Sequence, residues 1–322
     1  MSKTRVKLGV LLPTRGLLLA DAPPSNANLV LDLAQKTEEA GLDSVWVGDS
    51  LTAKPRLEPL SVLAAIAART SRVRLGTAVL LMALRHPLLL AQTLGTVDLI
   101  SQGRLLVAAG AGGAFNVEQQ QEWQRVGVKA SQRASRLAEM VQIIKGLNRG
   151  ETVSFQGRHF ELDSVAMRPR SVQTGGVPIL LACHGRFPAR GAQIQRAARW
   201  ADGVISISDT PDEYRQVVRD VRALAAELGR DASSMEAAMY LTVNLDRDMA
   251  RGAAEAEQWL LGYYGTNIWG SRWGPFGDPS QIKERIAEYA EAGADTVIVR
   301  FASFTPKEQL DAFLNEVAPV FQ

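Results

Sequence analysis

Residues 57–112 read LEPLSVLAAIAARTSRVRLGTAVLLMALRHPLLLAQTLGTVDLISQGRLLVAAGAG. Pro59 to Thr70 carries a helical apolar pattern, and VRLGTAVLL (Val73–Leu81) is a short, nearly unbroken apolar run. The same two steps follow at once, His86–Ser101 as a helix and Arg104–Gly112 as a strand. Strands that are apolar along their whole length are buried on both faces. Helices must therefore cover both sides of the sheet, or the sheet must close on itself.

The rhythm extends to both ends of the chain. VKLGVLL (Val6–Leu12) precedes a helix whose apolar face carries Leu29, Leu33 and Ala40, with Gly41 as its stop. SVWVGD (Ser44–Asp49) follows, and downstream come VPILLA (Val177–Ala182), GVISIS (Gly203–Ser208), MYLTVNL (Met239–Leu245) and TVIVRF (Thr296–Phe301), with helical patterns between them. Eight such alternations favour an α/β (β/α)8 TIM barrel over an open, doubly wound sheet. Two stretches break the rhythm, about 113–176 and 265–280, and read as insertions after the fourth and seventh strands of one domain spanning 1–322. Insertions after barrel strands build the pocket, because the strand-to-helix loops all open onto one face.

Composition narrows the chemistry. Lys and Arg number 36 against 34 Asp and Glu, which leaves no electrostatic footprint for nucleic acid or an anionic membrane. One cysteine excludes an intrachain disulfide and a cysteine-rich metal site, and His86, His159 and His184 show no metal-ligand spacing. The start of the chain lacks the apolar core of a signal peptide, and Arg85 and His86 interrupt the longest apolar run, so the expectation is a cytoplasmic protein.

Cys183 and His184 are neighbours, which invites a nucleophile reading. Adjacent strand residues point to opposite faces, so the pair cannot meet as a dyad, and Cys183 is expected to be a small buried residue. The segment that follows, CHGRFPARG, stands between a strand and a helix N-terminus, where free N–H groups and the positive end of the dipole favour an anion. His184, Gly185, Arg186 and Arg190 are the candidates there. Arg300 ends the last strand, where an arginine can hold a substrate anion. His86 opens a helix and is a candidate proton donor, and Trp269, Trp273 and Phe276 sit in an aromatic loop that can shape a pocket.

The ordered set EEAGLDSVWVGDS (Glu38–Ser50), TSRVRLGT followed by RHP, SQGRLLVAAGAGG, GRHFEL (Gly157–Leu162) and VPILLACHGRFPARGAQIQRAARWADG (Val177–Gly203) resembles the bacterial luciferase-like flavin-dependent oxidoreductases. That resemblance implies a TIM barrel binding FMN or the deazaflavin coenzyme F420. It also implies that Asp49, Thr77, Ala78, Val79, Gly112 and Asn116 approach the cofactor, with a non-proline cis peptide in a bulge near Thr77–Val79, and that the 184–190 loop takes its phosphate. The family's deazaflavin-dependent sugar-phosphate and alcohol dehydrogenases follow the aspartate with a catalytic histidine and carry a glutamate in the glycine-rich turn. Ser50 and Gly113 stand at those positions and cannot serve as acid or base near neutral pH. The leading expectation is therefore a monooxygenase acting with O2 and reduced FMN supplied by a separate flavin reductase. The alternatives are F420-dependent hydride transfer and a flavin-binding protein without turnover. Outside the resemblance stands a phosphate-binding isomerase or lyase on the same barrel. The resemblance further implies a small-molecule substrate and a homodimer.

Overall fold

The computed structural model describes residues 6–19, 24–186 and 190–322. Eight parallel strands form the centre: β1 (Lys7–Leu11), β2 (Ser44–Val47), β3 (Arg74–Leu80), β4 (Leu105–Ala109), then, after an antiparallel hairpin β5 (Val153–Gln156) and β6 (Glu161–Val165), β7 (Ile179–Ala182), β8 (Gly203–Ile207), β9 (Glu236–Leu245) and, past the two-residue β10 (Phe276–Gly277), β11 (Thr296–Phe301). β1 pairs with both β2 and β11, and β9 with both β8 and β11, so the sheet closes into a TIM barrel. All eight strands lie where the apolar runs predict them.

The helices are α1 (Asn28–Glu39), α2 (Pro59–Arg69), α3 (Pro87–Ile100), α4 (Val117–Arg125), α5 (Arg133–Arg149), α6 (Arg190–Trp200), α7 (Pro211–Glu227), α8 (Met249–Tyr264), α9 (Pro279–Glu291) and α10 (Pro306–Glu316). Both irregular stretches resolve differently from a simple insertion. α5 packs against α3 and α6 and is the fourth ring helix, so only α4 and the hairpin are additions in that region. After β9 the chain makes two helices. α9 takes the ring position beside α7, while α8 packs Trp259 and Tyr263 toward Ala302 at the C-terminal end of β11.

Two side-chain layers hold the barrel. The larger lies between strands and helices, and the smaller fills the interior around Trp46, Leu106, Leu180 and Ile298. Trp46 is wholly buried, and its indole occupies space that two strands vacate by carrying glycine. A Cβ on Gly76 would lie 2.2 Å from Trp46 Cε3, and one on Gly9 would lie 2.6 Å from its Nε1. At the opposite end from the loops, Arg74 makes a two-pronged contact with Glu236 at 3.0 and 2.9 Å, joining β3 to β9 across the base. Among the described residues no helix is long and apolar enough to cross a membrane, and no cluster of three metal-ligating side chains occurs.

Candidate functional site

The C-terminal ends of the strands open into a cavity of about 330 Å³, within the usual range for small-molecule sites. Its floor is β3. The ladder between β3 and β4 shifts register between Ala78 and Leu80, and the Ala78–Val79 peptide is cis. Both residues line the cavity, and Ala182, Ile205 and Ile207 supply small and branched apolar walls across from them. The base of the cavity is thus apolar, while Asp49, Lys54, Arg56, Glu122 and His184 stand around it.

Of the residues expected at a site, Asp49, Ala78, Val79, Gly112, Asn116 and His184 line this cavity. Asp49 is committed to structure: Oδ2 accepts from the Leu81 N–H at 2.9 Å, and both carboxylate oxygens accept from the Arg85 guanidinium. Gly112 takes a positive φ of 72° and accepts Arg133 Nε at its carbonyl. Asn116 caps α4, its side-chain oxygen accepting the Gln119 N–H at 3.0 Å.

Others fall elsewhere. Thr77 is fully buried and donates to the Ala108 carbonyl at 2.9 Å, holding β3 to β4. His86 is exposed and caps α3, Nδ1 accepting the Leu88 N–H at 3.3 Å, so its role as a proton donor is not supported by its position. Arg190 is paired with Asp220 of α7 rather than aimed at the cavity. The expected anion loop is also partly spoken for. The His184 N–H donates to Gln193 Oε1 and the Gly185 N–H to Asp209 Oδ2, each at 3.0 Å. Buried donors find acceptors within the chain when no ligand is guaranteed. Arg186 remains the loop's charged group beside the cavity, 4.4 Å over the Trp269 ring and 3.3 Å from Ser208 Oγ. Phe187, Pro188 and Ala189 of the loop lie outside the described residues.

The cysteine question closes on geometry. Cys183 is fully buried in the outer core, and burial pushes its thiol up to about 12. His184 faces the cavity instead, with Nδ1 3.4 Å from Ser206 Oγ and 3.9 Å from Asp209 Oδ2. Burial holds the imidazole below its usual range, against the opposing pull of Asp209. Burial likewise raises the Asp209 carboxyl, whose Oδ1 has no hydrogen-bond partner among the described residues.

Several cavity residues carry no sequence signal that would single them out. Glu122, in the polar helix α4, accepts four hydrogen bonds on Oε1, from Ser50 Oγ and the N–H groups of Leu51, Thr52 and Ala53 at 2.6 to 3.1 Å. It is 3% exposed and fixes the loop after β2. That loop brings Lys54 and Arg56 to the cavity, and Tyr240 and Tyr264 complete the wall. A polar helix reads as solvent-facing, and two cations in a Pro-containing loop read as ordinary surface. Arg300 is nearly buried, with its Nε and Nη2 donating to Thr242 Oγ1 and its Nη1 to the Tyr264 hydroxyl at 2.5 Å. Trp269 lines the cavity, whereas Trp273 is buried 4.8 Å from the Arg300 guanidinium and Phe276 packs at the edge of that aromatic cluster.

The residues present fit a flat heteroaromatic ring on the Ala78–Val79 floor. For a cofactor phosphate they offer Arg186, while the loop N–H groups at 184 and 185 are already bonded within the chain. A family model described as luciferase-like monooxygenase matches residues 6–272. The chain is 28% identical to an F420-dependent glucose-6-phosphate dehydrogenase of Nocardia farcinica over 90% of this chain and 93% of that one. It is 27% identical to a 5,10-methylenetetrahydromethanopterin reductase of Archaeoglobus fulgidus over 67% of this chain and 61% of that one. In three dimensions it superposes on the monooxygenase RslO1 from Streptomyces bottropensis with a TM-score of 0.80 and 22% identity, covering 98% of this chain and 100% of the other.

Proposed function

The chain belongs to the luciferase-like monooxygenase family, and on that premise we propose that it is an oxidoreductase that binds coenzyme F420 and exchanges a hydride with a small organic substrate. The observation that carries this reading is the small-residue floor at Ala78–Val79, in a chain similar over nine-tenths of its length to an enzyme named for F420. This order reverses the expectation drawn from sequence, in which oxygen chemistry on reduced FMN came first. The FMN reading stands second, supported by the lack of an acid–base pair at Ser50 and Gly113. It would need a partner reductase, which the deazaflavin reading does not.

When bound, the deazaflavin supplies the hydride-exchanging ring. Ala78 and Val79 would set the height and tilt of that ring, and Ala182, Ile205 and Ile207 would keep water from its face. Arg186 would hold the phosphate end, and His184 presents its imidazole at the wall. Glu122 holds the Ser50–Ala53 loop in place, so Ser50 is a donor to Glu122 and not a base toward substrate. Sugar-phosphate oxidation by the histidine–glutamate route therefore has no equivalent here.

The test is turnover. The protein is mixed with F420 and a panel of small alcohols and, with reduced F420, of carbonyl, imine and enoate acceptors, and the deazaflavin's visible absorbance is followed. At least one substrate class should change that absorbance, and glucose 6-phosphate should not. Oxygen uptake with reduced FMN should stay at the spontaneous rate. Protein-dependent oxygen uptake with hydroxylated product would reverse the two readings.

A further inference from the structure

Four cations gather on one side of the barrel's loop end: Lys54 and Arg56 after β2 line the cavity, and Arg15 after β1 and Arg300 at the end of β11 lie buried behind them around Tyr263 and Tyr264. Among the described residues none of the four forms an ion pair, and each donates only to neutral oxygens. Arg15 reaches the carbonyls of Tyr263 (3.1 Å) and Pro55 (3.2 Å), Lys54 the carbonyl of Tyr264 (2.8 Å), and Arg56 the hydroxyl of Tyr263 (2.9 Å). Arg300 bonds to the Thr242 and Tyr264 hydroxyls. Arg56 Nε is buried and has no hydrogen-bond partner among the described residues. Elsewhere Arg74, Arg85 and Arg190 take the carboxylates of Glu236, Asp49 and Asp220, while Arg104, Arg133 and Arg230 bond only to carbonyl or hydroxyl oxygens; what sets this cluster apart is that its cations stand together.

Buried like charges without a counter-charge are costly, and aromatic faces offset only part of that cost. The Arg300 guanidinium lies 5.0 Å from the Tyr240 ring centroid, and Arg56 5.5 Å from that of Tyr263. Burial first, then Arg15, pull the Lys54 ammonium below its usual range, with Glu118 opposing and Arg56 adding to the pull. An oxyanion arriving at the Arg56 guanidinium would relieve the repulsion among these cations. Arg56, Lys54, Tyr240 and Tyr264 all line the same cavity as Ala78 and Val79. An anion held there would stand next to whatever occupies the floor.

We propose that this cluster is the substrate's docking site: Arg56 receives a carboxylate or phosphate directly, with Lys54 at the rim and Arg300 behind, and the substrate's flat apolar body lies among Tyr240, Tyr264 and Trp269. The assignment rests on the cofactor lying on the Ala78–Val79 floor. It makes the substrate an anionic, largely planar molecule, and it makes Arg56 a specificity-determining residue.

Benzoate and phenyl phosphate are the probes, with benzyl alcohol as the neutral counterpart, titrated calorimetrically into the full chain with and without F420. The variants are Arg56→Met and Lys54→Met. At least one anion should bind the wild type, more tightly than benzyl alcohol, and the tighter of the two names the group. Arg56→Met should lose at least about 30-fold, the scale for removing one member of a desolvated charged contact. Lys54→Met, nearer solvent, should lose less. Without probe, Arg56→Met should melt at or above the wild-type temperature, because a repelling charge has gone. The proposal is overturned if neither anion outbinds the alcohol, or if both variants keep wild-type affinity. It is also overturned if Arg56→Met weakens F420 as much as the anion, since the cluster would then serve the cofactor. Anion binding that persists in a protein with no affinity for F420 or FMN would uphold the site while removing the cofactor reading.

Discussion

Glu122→Gln tests how the cavity is held open. One carboxylate oxygen accepts three consecutive N–H groups and the Ser50 hydroxyl, and the residue is 3% exposed. Hydrogen bonds to a charged group contribute about 1.5–3 kcal/mol each and neutral ones about half that. The four share one oxygen and cannot add. Leu51 and Thr52 are exposed, so their N–H groups can turn to water when the anion is lost. A cost near 2 kcal/mol for glutamine and near 3 kcal/mol for alanine follows, by the same reckoning. The effect should concentrate on the loop, because the loop carries Lys54 and Arg56. Urea denaturation should show the lower stability. Native-state hydrogen exchange should show protection lost at amides 51–53 while the barrel strands keep theirs. Unchanged protection at those three amides in Glu122→Gln would refute the idea that the carboxylate organises the loop.

Three further outcomes follow from the packing. Gly76→Ala places a methyl 2.2 Å from the buried indole of Trp46, against an interior with no slack. It should cost about 3 kcal/mol or prevent folding, read as a lower urea midpoint or as insoluble protein. Arg74→Met should cost roughly 1–3 kcal/mol, discounted because both partners keep some exposure. Glu236 lies below its usual pKa: burial alone would raise it, but the Arg74 contacts overcome that. Its contribution is therefore present above the unfolded carboxylate value of 4.5 and lost as pH falls below it. The stability gap between wild type and Arg74→Met should accordingly narrow on acidification from pH 7 to 4, and a constant gap would contradict the pairing. Cys183, with its thiol pushed up to about 12, should resist thiol reagents at pH 8 in the folded protein and react once denaturant is added.

The barrel was legible because eight apolar strands are a strong, repeated signal; burial on both faces allowed an open covered sheet as well, and the number of strand–helix units favoured closure. The site was legible where backbone decides it. Small residues at Ala78–Val79 and the positive φ at Gly112 can be read from residue type and from position after a strand. It was not legible where side chains decide by reaching across space. Arg190 looks like an anion ligand next to a helix start, yet Asp220, thirty positions on, takes it, and no local pattern reports that contact. Gly185 offers a free N–H in sequence, but Asp209 arrives from the loop after β8 to occupy it. Glu122 and Arg56 are the converse, ordinary in their own segments and informative only once α4 and the β2 loop meet. Ring helices and mouth helices also share one apolar pattern, so α8 could not be told from α9 until packing placed them.

The central claim is that the Ala78–Val79 floor takes a flavin-type ring and prefers the deazaflavin. The most direct measurement is equilibrium titration of the wild-type protein with F420 and with FMN, following quenching of cofactor fluorescence. Saturable binding of F420, tighter than that of FMN, is the expected result. Binding of neither would contradict the assignment of the floor, and binding of FMN alone would contradict the choice of cofactor.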